Sequence, residues 1–168
     1  MKILMVFYSR TGVTKKAGER IAAVLRERPG VQVTVEEIVD PKDRSGLLGW
    51  LGAARDAMGK RSTPIEPLAA NPADFDLVVI GSPVWSWTVS APVRTFCTQH
   101  GRQAKKAAFF CTMGGTGDKK TFAAMESLCG RPPVATCALI ERHVKKDDEE
   151  AFLAKVKTFA EKIAGRGT

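Results

Sequence analysis

The chain has 168 residues, the length of one ordinary domain. Apolar residues make up 44% and charged residues 26%, a globular composition that excludes wholesale disorder and fibrous repeats. Lysine and arginine outnumber aspartate and glutamate by 26 to 18, and the resulting net charge of +8 favours an anionic partner.

The first predicted element is a strand over residues 3–8, which is apolar on both faces, as in the centre of a parallel sheet. This longest apolar run has six residues, far fewer than the roughly 18 that span a bilayer. It ends at Ser9 and Arg10 without a signal-peptide cleavage site. We therefore expect a cytoplasmic protein with no membrane span.

A helix and an edge strand are predicted next. The helix begins at Val13, keeps apolar residues on one stripe and ends near Pro29 and Gly30. Residues 31–36 then alternate apolar and polar side chains, which is typical of a half-exposed strand at a sheet edge. Residues 46–58 are predicted to form a second helix, although glycines weaken it.

The second half of the chain continues the alternation. Strands are predicted over residues 77–80, 107–111 and 134–140. Ser90 is expected to cap a helix that Pro92 opens. A further helix is marked by Phe122, Met125 and Leu128, and a closing helix starts in the acidic run 147–150 and stops at Gly165.

Alternating strands and helices predict βαβ units around a parallel sheet. We expect one α/β domain over residues 1–168, a three-layer sandwich with a five-stranded parallel sheet in the order 2-1-3-4-5. In that order ligands bind beyond the carboxyl ends of strands one, three and four. The loops at these three places are therefore the candidate site.

The loop after strand one reads Ser9-Arg10-Thr11-Gly12-Val13-Thr14 and leads directly into a helix. Hydroxyls and a glycine before a helix N-terminus suit an anion such as a phosphate. The alternative is that Thr11 simply caps the helix and Thr14 has no special role. The segment matches neither GxxxxGK[ST] nor GxGxxG, which argues against a P-loop hydrolase and a dinucleotide Rossmann turn.

The other two loops are uncharged. Residues 82–91 carry Trp85 and Trp87, which indicate a flat ring ligand or a protein partner, unless both indoles pack on the domain's own core. Residues 112–117 hold three glycines, which let a ligand approach the backbone. Together the loops describe a crevice for a planar heteroaromatic ligand with a terminal phosphate, which fits flavin mononucleotide (FMN).

Two motifs resemble the flavodoxin family. Residues 8–14 resemble its phosphate loop, [ST]-x-T-G-x-T, and residues 81–85, followed by Pro92, Val93 and Phe96, are similar to the flavin loop of a branch with a GSPVW motif. The resemblance implies FMN as cofactor and electron transfer through the flavin, with no catalytic acid, base or nucleophile. It implies these cofactor-binding residues: Ser9, Arg10, Thr11, Gly12, Val13, Thr14, Ser82, Pro83, Val84, Trp85, Ser86, Trp87, Met113, Gly114, Gly115, Thr116 and Gly117.

The sequence departs from the family in its charge. Flavodoxins that carry electrons are typically acidic, whereas this chain is basic. Arg10 adds a cation to a phosphate loop that is usually neutral, and it either pairs with the phosphate or points to solvent. Because the loops at 82–91 and 111–117 lack carboxylates, we expect a less negative second reduction potential than an acidic carrier shows.

The sequence therefore leaves several functions open. The partner is a redox protein or a small molecule such as NAD(P)H or a quinone, which would make the protein a carrier or an NAD(P)H:quinone-type reductase. A binding module without redox activity is a further alternative. Basic residues scattered in pairs argue against nucleic acid.

Cysteines and histidines give no clear signal of a metal site or of redox chemistry. The four cysteines, Cys97, Cys111, Cys129 and Cys137, contain no CxxC, and the two histidines complete no metal-ligand spacing. We interpret the cysteines as small apolar residues in a reducing cytosol, with a redox dithiol as the alternative.

Overall fold

The computed structural model describes residues 1–41, 62–145 and 149–165. The helix predicted over residues 46–58 lies outside the described residues, as do Asp147 and Asp148 of the acidic run before the closing helix. No helix within the described ranges is both long and apolar enough to cross a membrane.

Six strands form the described sheet. They are β1 Lys2–Phe7, β2 Gln32–Glu37, β3 Leu77–Trp85, β4 Thr88–Val89, β5 Ala107–Met113 and β6 Thr136–Ile140. Five are parallel in the order β2-β1-β3-β5-β6, and β4 pairs antiparallel with β3. The predicted order 2-1-3-4-5 is confirmed for the parallel strands, and the predicted strand count is one short because β4 has only two residues.

Five helices and two short 3₁₀ turns are described. The helices are α1 Val13–Arg26, α2 Ala91–His100, α3 Asp118–Cys129, α4 Glu141–Lys145 and α5 Glu149–Ala164, and the 3₁₀ turns are Pro72–Asp74 and Gly101–Gln103. The sequence did not predict α4, because five residues with one buried side chain, Val144, show no helical periodicity.

Helices cover both faces of the sheet. Along β1, Ile3 and Met5 face the core that α1 and α5 complete, whereas Leu4 and Val6 face the core of α2 and α3. Strand β1 is therefore buried on both sides, as its continuous apolar run predicted. Within the described sheet the alternating strand β2 pairs with β1 alone and lies at the edge, which is also as predicted.

Strand β3 is longer than predicted, and this corrects the loop expected from residue 81 onward. Ser82 and Pro83 pair with β5, and the strand continues to Trp85 before it turns back into β4. Strand β1 ends at Phe7, opposite Gly81, so Pro83 has a strand neighbour on one side only. A proline is tolerated there because no hydrogen bond is required from its nitrogen.

The sequence did not predict this part of the strand, because serine and proline are both typical of loops. Ser82 is fully buried, and its hydroxyl donates to the Pro83 carbonyl at 2.8 Å. The same oxygen lies 3.1 Å from the Ser90 hydroxyl. Ser90 occupies the N-cap position of α2 as predicted, but its hydroxyl does not cap the helix. The two serines instead tie the β3–β4 hairpin to the start of α2.

Candidate functional site

Three chain segments meet where β1, β3 and β5 end, at the carboxyl edge of the sheet. The first and third are joined by the hydroxyls of Thr14 and Thr112, which lie 2.7 Å apart and are buried. The first and second are joined by the rings of Tyr8 and Trp85, edge to face with centroids 5.5 Å apart. The predicted convergence of the three loops therefore exists in the fold.

The first segment forms a turn that opens onto the N-terminus of α1. Gly12 is the N-cap residue, with φ +83, and the helical residue Val13 follows it. A left-handed residue next to a right-handed one makes a concave group of backbone N–H groups that binds anions. A Cβ on Gly12 would meet no atom within 4 Å, so space lies in front of this turn.

Hydroxyl groups hold this turn in place. The Ser9 hydroxyl accepts a hydrogen bond from the Lys15 backbone N–H at 3.1 Å, so Ser9 satisfies one amide of the first helical turn. Thr11 is exposed and is not the cap. Thr14 is 2% exposed and bonded to Thr112. The alternative in which Thr11 caps the helix and Thr14 has no role therefore does not match the structure.

The second segment is a tight hairpin under backbone strain. The two turn residues, Ser86 and Trp87, have φ values of 47 and 60. Positive φ at both positions is the signature of a type I′ turn, in which asparagine and glycine are preferred. A bulky residue there costs on the order of 1–3 kcal/mol, and such strain is concentrated at ligand clamps and active sites.

The two tryptophans have different environments. Trp85 is half-buried and packs on the core of α2 and α3 as well as on Tyr8. Trp87 is 61% exposed, the largest exposure among the described large apolar side chains. Trp85 thus acts as a core anchor, whereas the Trp87 indole is presented to solvent beside the crevice.

The third segment supplies a rim of open backbone. Met113 is the last residue of β5 rather than a loop residue, and it is buried. Gly114, Gly115 and Thr116 are exposed, and a Cβ on either glycine would meet no atom within 4 Å. A ligand can therefore approach the main chain closely at this position.

Gly117 joins the third segment to the hairpin. It caps α3 with φ +113, and a Cβ there would lie 2.7 Å from Val84 Cγ1 and 3.1 Å from Trp87 Cα. Both the backbone conformation and the close approach require glycine. The glycine rim and the strained turn are therefore packed directly on each other.

Sequence reasoning missed Arg94, a buried cation behind the hairpin. Arg94 is 7% exposed, and its Nη2 donates to the Thr88 hydroxyl at 3.4 Å. Its Nε is buried and has no hydrogen-bond partner among the described residues, and burial lowers the pKa of its guanidinium. The available signal was a single charge within the apolar start of α2, between Val93 and Phe96.

The described cysteines are all free and buried. Burial raises the pKa of the Cys137 thiol to about 11 and that of Cys111 above its ordinary range. A hydrogen bond between the Cys97 and Cys129 thiols raises the pKa of Cys97 and lowers that of Cys129. Protonated, buried thiols such as those of Cys111 and Cys137 react slowly. The described residues contain no group of three or more histidine, cysteine or acidic side chains that could hold a metal ion.

Comparison with known proteins identifies relatives of the whole domain. A family model described as flavodoxin matches residues 2–156. The fold is similar to that of a flavoprotein from Lactobacillus acidophilus NCFM, solved in complex with FMN, with a TM-score of 0.68 and 23% identity. That match covers 90% of this chain and 98% of the other.

Two solved flavodoxins have a similar fold. The flavodoxin of Streptococcus pneumoniae TIGR4 gives a TM-score of 0.63 at 16% identity and covers 99% of both chains. The two-electron-reduced flavodoxin of Megasphaera elsdenii gives 0.62 at 17% identity, with 97% of this chain and 98% of that chain covered. The similarity therefore extends over the full length of the domain.

Proposed function

The chain belongs to the flavodoxin family, and from this premise we propose that it binds FMN without a covalent bond and transfers electrons through it. One observation carries the proposal. An anion-binding turn, an exposed aromatic side chain and an open glycine rim converge at the carboxyl edge of the sheet. A phosphate and a planar ring on one ligand match these three features.

The turn at residues 9–14 is proposed to hold the phosphate. Its backbone N–H groups point out of the first turn of α1, where the helix dipole favours an anion. The Thr14 hydroxyl has capacity for a further hydrogen bond beside its bond to Thr112. No acidic side chain lies in this first turn to repel the phosphate.

The hairpin and the glycine rim are proposed to enclose the ring system. Residues 83–87 would flank one side of it and residues 113–117 the other. The close approach of Gly117 to Val84 and Trp87 joins these two segments at one point. When bound, FMN supplies one- and two-electron redox chemistry. The chain supplies binding, orientation and exclusion of water, and we assign it no acid, base or nucleophile.

A second candidate is an NAD(P)H:quinone-type reductase, which the exposure of Trp87 favours. An exposed indole beside the ring offers a flat surface on which a quinone can stack. Steady-state oxidation of NAD(P)H, measured with and without quinone, distinguishes the two functions. A carrier shows almost no turnover in either assay.

The test of the proposed function is the absorption spectrum of the freshly purified protein, followed by titration of the apo-protein with FMN, riboflavin and FAD. We expect bound oxidised flavin and a preference for FMN over riboflavin, since riboflavin lacks the phosphate. A colourless protein that binds none of the three would reject the proposal and favour a binding module.

A further inference from the structure

Cations lie on two of the three segments that form the crevice at the carboxyl edge of the sheet. The segments 8–16, 81–93 and 113–121 contain five basic residues and one acidic residue, Asp118. We call the five basic residues the basic rim: Arg10, Lys15, Lys16, Lys119 and Lys120. With Asp118 and Glu37, the ion-pair partner of Lys15, counted against these five cations, the rim keeps an excess of three positive charges.

Helix stability does not explain these lysines. Lys119 and Lys120 lie in the first turn of α3, and Lys15 and Lys16 lie in the first turn of α1. Cations at a helix N-terminus oppose the helix dipole and are therefore unfavourable for the helix. Lys15 is offset by an ion pair with Glu37 at 3.0 Å. Lys119 and Lys120 are exposed and form no ion pair within the described part of the chain.

Trp87 packs on the residue that precedes α3. It is 61% exposed, and its Cα is 3.1 Å from the Cβ position of Gly117, which lies two residues before Lys119. An exposed aromatic side chain near charged residues has the composition of a protein–protein contact, in which aromatic anchors bind and charges steer. The exposed indole belongs to a turn residue with positive φ.

We propose that the basic rim and Trp87 form the docking surface for a redox partner protein whose own surface is acidic around its electron-accepting group. The proposal rests on the proposed function, because the partner must approach the flavin crevice to take an electron. Charge complementarity selects the partner. A positive rim attracts an acidic surface and repels the basic surface that acidic carriers of this family use.

The experiment uses horse cytochrome c in two forms as the electron acceptor. The native protein is basic, and succinylation of its lysines makes it acidic while the haem is retained. One electron passes from the dithionite-reduced flavoprotein to ferric haem iron, which becomes ferrous, and no covalent bond forms or breaks. The rate is followed by the visible absorbance of the haem.

At low ionic strength we expect the succinylated form to be reduced about tenfold or more faster than the native form. The difference should shrink as salt is added, because salt screens the attraction. Equal rates, or faster reduction of the native form, would overturn the proposal.

Two double variants locate the effect. Lys119→Glu with Lys120→Glu alters the rim, whereas Lys105→Glu with Lys106→Glu alters an exposed pair at the opposite edge of the sheet, just before β5. Each pair changes the net charge equally, from +8 to +4. We expect the rim pair to slow reduction of succinylated cytochrome c about threefold to tenfold, and the distant pair to slow it less than about twofold.

Controls distinguish a failure of the docking surface from a failure of the proposed function. The rim variant should melt no lower than the unaltered protein, because acidic residues are favoured in a first helical turn. Equal effects of the two double variants would show that only total charge matters and would overturn the docking surface. A protein that shows no flavin in its spectrum and binds none of the added flavins would reject the proposed function as well. Rim-dependent DNA binding without preference between the cytochromes would reassign the surface to nucleic acid.

Discussion

At the residue scale, Thr14 is the position that links the sheet to the proposed phosphate site. Its side chain is 2% exposed and bonded to Thr112, so it is fixed before any ligand arrives. Fixed donors lose little conformational freedom on binding. This is the physical reason to expect one hydroxyl to matter at a site where backbone N–H groups are proposed to bind the phosphate.

We expect Thr14→Val to weaken FMN binding by about tenfold, the value of one hydrogen bond to a charged group, while riboflavin binding stays nearly unchanged. Fluorescence titration with both flavins measures the ratio. Thr158→Val, which removes an exposed hydroxyl on α5, is the matched control. Equal losses for FMN and riboflavin would show that Thr14 acts only on the fold.

Trp87 combines exposure with a left-handed backbone. Two substitutions separate these properties, because Trp87→Ala removes the indole and keeps the strain whereas Trp87→Gly removes both. We expect the glycine variant to be the more stable of the two by about 1 kcal/mol, as glycine adopts positive φ at little cost. Urea denaturation measures the difference. An alanine variant of equal or higher stability would show that the turn is unstrained.

At the element scale, the register of β3 against β5 depends on Gly81, a residue without a side chain. A Cβ on Gly81 would lie 2.0 Å from Phe110 Cζ, within the buried face that α1 covers. Gly18 on α1 approaches the Phe7 and Phe110 rings in the same way, at 2.6 and 3.3 Å. Glycines on one strand and one helix therefore make room for two phenylalanines, which fixes the distance between α1 and the sheet.

We expect Gly81→Ala to destabilise the fold by about 3 kcal/mol, since a Cβ there would overlap the fully buried Phe110 ring. Gly114→Ala is the control, because a Cβ there meets no atom within 4 Å and should change stability by less than about 0.5 kcal/mol. Thermal and urea unfolding measure both. Similar effects at the two positions would contradict the packing argument.

At the scale of the whole molecule, buried thiols connect stability to pH. The pKa of Cys137 is raised by burial from its ordinary value of 9.0 to about 11. The unfolded chain therefore loses this proton first as the pH rises, and the folded state loses stability above about pH 9. Below that pH the stabilising contribution of the neutral thiol is fully present.

We expect the unfolding free energy of the unaltered protein to fall by about 1 kcal/mol more than that of Cys137→Ala between about pH 8 and pH 10. Urea denaturation at a series of pH values measures both curves. Parallel curves would show that the Cys137 thiol titrates alike in the folded and unfolded chains. Other thiols and the lysines contribute equally to both proteins and cancel in the difference.

The charge of the whole chain also affects the reduction potential that we expect for the flavin. An uncharged hairpin, a glycine rim and a basic surround place little negative potential near a reduced, anionic flavin. We expect a second reduction potential less negative than that of an acidic flavodoxin measured under the same conditions. Stepwise potentiometry of the holoprotein measures it. A very low hydroquinone couple would contradict the expectation.

Much of the fold follows from local pattern. The continuous apolar run of β1 identifies a central strand, and the alternation of β2 identifies an edge strand. A strand buried on both faces is apolar throughout, whereas a strand buried on one face alternates. The hydroxyl-rich turn before α1 is equally local, since a helix N-terminus needs only its own neighbours to bind an anion. The sequence by itself therefore determined the fold class and the sheet order, and it predicted the position of the site.

Only the tertiary structure decided what depends on distant neighbours. Ser82 and Pro83 belong to a strand because they pair with residues in β5. The exposure of Trp85 and of Trp87 depends on Tyr8 and on a turn of unusual backbone conformation. The burial of Arg94 likewise comes from elements that pack around α2 rather than from α2 itself. Polarity along a chain specifies which residues need burial, whereas their contacts are fixed only once all the layers have packed.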